Sequence, residues 1–233
     1  MKTHLWIGTL LGISLFSAGC FDVKEELWLK RDGSGTMQVS LNLGKAIRTL
    51  SYLDDEVDKK GYEAWADSLM RTKFALRNFD SLAEVLEQQP GITQAAYRLE
   101  KRSHVMRFSF EHVAALNQAF AFLQSTNRMI KEAEFSWEGK TFSRMPKATP
   151  EKKTEPEPKQ KGGLDGALLT GLMRRQVGSG AYSMYIYLEK KPKDLRPSAL
   201  RKIDKKSVFL TYKMSRVMKE DQLLTYSFTY PKK

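Results

Sequence analysis

Cys20 is the only cysteine in a chain of 233 residues. One thiol cannot close an intramolecular disulfide or build a multi-cysteine metal site. The body must therefore be held by an apolar core, and a hydrophobic share of 41% can supply one. The spacing of those apolar residues sets the fold class, because strands repeat every second residue and helices about every 3.6. From Asp22 to Lys30 the chain alternates. Val23, Glu25, Leu27 and Leu29 fall on one face, and Asp22, Lys24, Glu26 and Trp28 on the other. Arg31-Asp32-Gly33-Ser34-Gly35 reads as a tight turn, where Asp caps through its side chain and Gly accepts positive φ. Met37, Val39, Leu41 and Leu43 alternate after it, so the two runs make a hairpin.

Further along, both periods recur. Residues 44–90 read as helical, with Tyr62, Trp65, Ala66, Leu69, Met70 and Lys73 at helical spacing. Asp80 or Ser81 is placed to cap a second helix that Pro90-Gly91 ends. Residues 92–100 and 103–110 read as an antiparallel pair. Residues 111–124 read as an amphipathic helix through Val113, Leu116, Phe120 and Leu123. Phe135, Trp137 and Phe142 mark a further strand or a hairpin around Glu138-Gly139. Near the C-terminus come three alternating runs, through Tyr182 to Leu188, Val208 to Tyr212, and Leu224 to Tyr230. The predicted class is α+β, an antiparallel sheet with packed helices.

Residues 146–163 break this pattern. They hold four of the chain's eight prolines, mixed with Lys and Glu. Nothing there can be buried, so the segment reads as an extended, solvated linker. The expected organisation is a leader over 1–19, an N-terminal part of one body over 20–145, the linker over 146–163, and a helix with strands over 164–233 completing the same body. In that last part Leu164, Leu168, Leu169, Leu172 and Met173 share one helical face, followed by Arg174 and Arg175. Leu168, Leu169, Leu172 and Met173 are the candidate contacts to a ligand or a membrane surface.

The leader explains why the lone cysteine sits where it does. Lys2 gives a short cationic start, residues 5–16 are almost wholly apolar, and Ser17-Ala18-Gly19 are small. That order is a secretory signal, and its apolar part is shorter than the roughly 20 residues a membrane span needs. Ala18-Gly19-Cys20 resembles the end of a bacterial lipoprotein signal, with Ser17 standing where Leu is usual. The resemblance implies cleavage after Gly19, a diacylglyceryl group on the Cys20 thiol, and acylation of the new amine. Two or three chains, at about 0.8 kcal/mol per buried methylene, anchor a protein stably. The stretch from Cys20 to Gly35 also resembles uncharacterised envelope lipoproteins and, more distantly, LppM-like lipoproteins. That likeness implies an antiparallel sheet with packed helices and a lipid-related binding role. Phe21, rather than Asp, follows Cys20, which favours the outer over the inner membrane.

Net charge is +12. Export argues against nucleic acid as the partner, which leaves anionic lipid or other envelope proteins. No GxSxG, HExxH, Walker-type loop or GxGxxG is present. His104 falls in a strand and His112 at a helix start, without ligand spacing. Asp54, Asp55, Glu56 and Asp58 lack the pattern of a calcium loop. The expectation is therefore a non-enzymatic, lipid-anchored envelope protein with a binding or assembly role and no cofactor or metal. A hydrophobic ligand or lipid is its sharper version. The alternatives are a scaffold for envelope proteins and a cryptic hydrolase.

Overall fold

The computed structural model describes residues 22–42, 79–100, 103–126, 133–147, 179–197, 200–202 and 204–230. Cys20, Gly19, the leader, most of the helical reading over 44–90, and the linker beyond Lys147 lie outside the described residues. So do Leu168, Leu169, Leu172 and Met173.

The elements are β1 (Asp22–Leu29), β2 (Gly35–Asn42), α1 (Phe79–Glu87), β3 (Ile92–Glu100), β4 (Ser103–Phe110), α2 (Val113–Thr126), β5 (Ala133–Glu138), β6 (Thr141–Pro146), β7 (Ala181–Leu188), β8 (Lys193–Arg196), β9 (Arg201–Lys202), β10 (Ser207–Lys213), α3 (Met214–Val217), a 3-10 turn (Asp221–Leu224) and β11 (Tyr226–Thr229). Sheet A has seven strands in the order β3-β4-β2-β1-β7-β10-β9, and sheet B has four in the order β5-β6-β11-β8. The fold is α+β, as the two periods predict.

One feature departs from the expected antiparallel sheet. β1 and β7 pair in parallel, Val23 opposite Tyr182 through Leu29 opposite Leu188. Both strands are buried on the core side and half-buried on the other. Strand alternation reports the buried face and is blind to strand direction. A second departure is at α1, which starts at Phe79, so Asp80 and Ser81 lie inside its first turn. β8 and β9 are short and mostly polar and give no alternating signal.

The β1–β2 hairpin forms as its turn chemistry dictates. Asp32 accepts hydrogen bonds from the Ser34 N–H at 2.9 Å and the Ser34 hydroxyl at 2.7 Å. Those bonds hold its carboxyl below the usual carboxylate range. Gly33 takes φ +85°, and the Trp137 indole packs 3.4 Å from where a Cβ would stand. Gly91 (φ +75°) ends the turn after α1, as Pro90-Gly91 predicts. His112 caps α2, its Nδ1 accepting from the Ala115 N–H at 3.1 Å.

The core lies between the sheets, with α1 and α2 packed on the inner face of the β3–β4 side. Leu27, Leu29, Met37, Phe108 and Ile186 come from sheet A, Phe135, Phe142 and Phe228 from sheet B, and Leu116 and Phe120 from α2. Asn117 docks α2 on β5 by imitating a strand neighbour. Its amide N–H donates to the Phe135 carbonyl at 2.8 Å, and its carbonyl accepts from the Phe135 N–H at 2.7 Å. The Tyr230 hydroxyl donates to the Leu29 carbonyl at 2.8 Å, tying the chain after β11 to sheet A.

The sandwich has two distinct ends. Asp22, Asn42, Glu100, Ser103, Ala181 and Lys213 lie in register at one, the Asp22 end. Leu29, Gly35, Phe110, Ile92 and Leu188 mark the other, the Gly35 end.

Candidate functional site

Two side-chain clusters stand out, on opposite faces of β1. The inner one is built on Glu25, fully buried on the core face, with Arg144 of β6, Tyr182 of β7 and Tyr226 of β11. The Arg144 guanidinium forms an ion pair with Glu25. Its second nitrogen donates to Glu25 at 3.4 Å and to the Tyr182 hydroxyl at 3.3 Å. Tyr182 donates its own proton to Glu25. Phe120 and Phe135 present their rings to the guanidinium at 5.4 and 5.5 Å. Arg144 Nε and the Tyr226 hydroxyl have no hydrogen-bond partner among the described residues.

The electrostatics follow from burial. Loss of solvent works against the Arg144 charge, but Glu25 beside it more than offsets this and keeps the guanidinium firmly protonated. Burial raises the Tyr182 and Tyr226 phenols above their ordinary range. Glu25 and Tyr182 belong to sheet A and Arg144 and Tyr226 to sheet B, so the cluster ties the layers. Its acid is already engaged by Arg144 and Tyr182.

The outer cluster covers the other face of sheet A. In-register neighbours give a row of Arg107, Gln38, Glu26, Tyr185, Phe209 and Arg201 across six strands. Beside it run Ser109, Thr36, Trp28 and Tyr187. Trp28 stacks on Tyr187 with centroids 5.0 Å apart and planes 14° apart. Tyr185 lies 4.7 Å from Phe209 and 6.4 Å from Tyr187. Arg107 sits over Trp28 and Lys24 over Tyr185. Glu26 is at the centre. It takes Lys24 Nζ at 2.9 Å, Gln38 Nε2 at 3.0 Å and the Tyr187 hydroxyl at 3.2 Å. Burial and the adjacent Glu26 raise the Tyr187 phenol. The four rings are half-buried. α1 and α2 pack against the inner face, so the outer rings are shielded by one another and by their cations.

The two histidines fall where the sequence places them. His104 is in β4 and bonds the Tyr97 hydroxyl at 2.8 Å. His112 is the cap already described. Among the described residues no group of three His, Cys, Asp or Glu is placed to hold a metal ion, and no helix is long and apolar enough to cross a membrane. Sequence reasoning placed Glu25 on an apolar face but did not connect it to Arg144. The available signal was a second charge on an apolar face, since Phe142 and Arg144 share one side of β6.

No protein-family model matches this chain, and no curated protein does. Among solved structures it is similar to the NMR structure of the folded domain of LppM from Mycobacterium tuberculosis. The identity is 8%, with 92% of this chain and 93% of that chain covered, at a TM-score of 0.45. At that distance no site or activity is carried over.

Proposed function

We propose that this chain is a lipid-anchored protein of the bacterial envelope with a binding or assembly role rather than a catalytic one. The observation that carries the reading is the start of β1. Asp22 is already paired with Asn42 of β2, and from Val23 on the strand also pairs with β7. Asp22 stands two positions after the only cysteine, itself preceded by Ser17-Ala18-Gly19. A folded sheet that begins so close to an acylated residue is held directly at the membrane. Phe21 after Cys20 favours the outer membrane.

The outer face of sheet A is the proposed binding surface, with another envelope protein as its partner. Trp, Tyr and Arg are the side chains that dominate protein–protein hot spots, and Trp28, Tyr185, Tyr187 and Arg107 are grouped there. Between the sheets the described residues pack rings against rings, Phe142 lying 5.5 Å from Phe228 and 5.9 Å from Phe135. The lipid-ligand version therefore rests on Leu168, Leu169, Leu172 and Met173.

Intact mass spectrometry of the protein extracted from its native membrane, beside Cys20→Ala, tests the anchor. A mass of residues 20–233 plus acyl chains, absent from the variant, supports it. An unacylated mass sinks it. A lipid retained in native-state spectra would favour the ligand version over the protein partner.

A further inference from the structure

The exposed apolar side chains of this body are distributed unevenly. Among the described residues four large apolar side chains are exposed, Val85, Leu99, Met145 and Met218. Three of them lie at the Asp22 end. Leu99 is the penultimate residue of β3, opposite His104, and is 63% exposed. Met145 is the penultimate residue of β6 and is 52% exposed. Met218 follows α3, which continues β10 beyond Lys213, and is also 52% exposed.

Sheet B is oriented with sheet A by contacts at both ends. Arg144 reaches Glu25 and Tyr182 near the start of β1 and β7. At the other end Tyr230 reaches Leu29, and Trp137 packs on Gly33. Met145 therefore belongs to the same end as Asp22. The 3-10 turn confirms this, since it touches both β6 and α3. β3 and β10 are five strand spacings apart, so these residues frame a face about 24 Å wide.

Charge on this face is of both signs, with Glu134 exposed opposite Met145. The Asp22 carboxylate accepts the Ala181 N–H at 2.9 Å. Glu220 is paired with Arg216 at 3.1 Å, and Glu100 lies 4.0 Å from Arg98. Lys147, Lys213 and Lys219 are exposed beside the apolar side chains. The Gly35 end carries exposed lysines as well, among them Lys30, Lys140, Lys190 and Lys206, beside Asp32, Glu111, Glu138 and Glu189. Only Val85, near the end of α1 that leads into Ile92, is a large exposed apolar side chain toward that end among the described residues. Exposed apolar groups ringed by lysine are the chemistry of a surface that meets anionic headgroups.

Resting on the proposed acylation of Cys20, we infer that the body stands on the bilayer by its Asp22 end. Two residues of chain span at most about 7 Å, so an acylated Cys20 brings the bilayer surface against this end. Leu99, Met145 and Met218 enter the headgroup region, and Lys147, Lys213 and Lys219 meet lipid phosphates. The strands then run away from the membrane, and the outer face of sheet A stands upright, open to partners.

The acylated cysteine leaves no native thiol, so a single engineered one can be labelled cleanly. Leu99→Cys, Met145→Cys, Met218→Cys and Lys140→Cys are made in the full-length chain, and acylation is checked by mass. Each is labelled with a bimane and reconstituted into vesicles of phosphatidylethanolamine and phosphatidylglycerol containing doxyl-lipid quencher. The expected result is loss of most emission at positions 99, 145 and 218, with emission at 140 retained. An acylated chain quenched equally at all four sites, or only at 140, overturns the orientation while leaving the anchor intact. An unacylated chain overturns the anchor and the orientation together.

Discussion

Glu25 and Glu26 are consecutive residues with the same side chain, on opposite faces of one strand. Glu25 is sealed between two sheets by Arg144 and Tyr182, contributed by two other strands. Glu26 sits on the outer face, 8% exposed, with Lys24, Gln38 and Tyr187 around it. The difference is what each partner can do if it is lost. Lys24 keeps nearly half of its side chain in solvent, at 44%, and water can replace it. Arg144, at 1%, cannot be replaced by water without opening the core. A charge in the interior is tolerable only as a complete set, whereas a charge on the rim tolerates a missing member.

The largest expected effect follows from breaking the inner set. Arg144→Met leaves Glu25 buried and unpaired, and the expected loss is about 3–5 kcal/mol. Urea unfolding followed by tryptophan fluorescence would read it. Adding Glu25→Leu to that variant removes the stranded charge, and most of the loss should return, because apolar replacements of a buried pair are near neutral. A double variant no more stable than Arg144→Met would show that the cluster acts through shape and not through charge.

The second test uses pH. Burial raises the Tyr182 and Tyr226 phenols above the ordinary tyrosine value of about 10. In the unfolded chain each loses its proton near that value, while in the folded chain each keeps it. The unfolded state therefore binds fewer protons above about pH 10, and stability falls as pH rises, by about 1.4 kcal/mol per unit for each tyrosine. Below that range each tyrosine is protonated in both states, so the slope vanishes at neutral pH. Tyr226 gives the clean variant, because its hydroxyl has no partner among the described residues. Tyr226→Phe should be neutral or stabilising by up to about 1 kcal/mol at pH 7. It should also flatten the alkaline slope by one tyrosine's share, about 1.4 kcal/mol per pH unit, seen in unfolding midpoints taken from pH 8 to about 12.

How much of this was legible beforehand follows the physics of each feature. Period-two alternation located β1, β2, β4, β7 and β10, because each buries one face, whereas β3 buries only Ile92. It also put Glu25 on one face with Val23, Leu27 and Leu29. It could not name a partner for Glu25, since Arg144 is 119 positions away and meets Glu25 only through the packing of two sheets. The parallel β1–β7 pairing is hidden for the same reason. The outer platform was half visible, in that Trp28 and the tyrosines of β7 were assigned to strand faces. Their stacking depends on strand order, and no local pattern encodes that.

The smallest expected effect is the outer counterpart of the first. Glu26→Gln preserves the shape, can still accept from Gln38 and Tyr187, and gives up the charge that holds Lys24. Charge-assisted bonds become ordinary ones and the lysine that loses its partner is already in solvent, so the expected loss is about 1 kcal/mol. The Lys24 contribution should shrink further in high salt, because exposed pairs are screened within about 10 Å at moderate ionic strength. Unfolding midpoints of the wild type and Glu26→Gln in low and high salt would read both. A loss as large as that of Arg144→Met, unchanged by salt, would mean that the outer face is sealed from water as tightly as the core. Glu25 and Glu26 would then differ in their partners and not in their exposure.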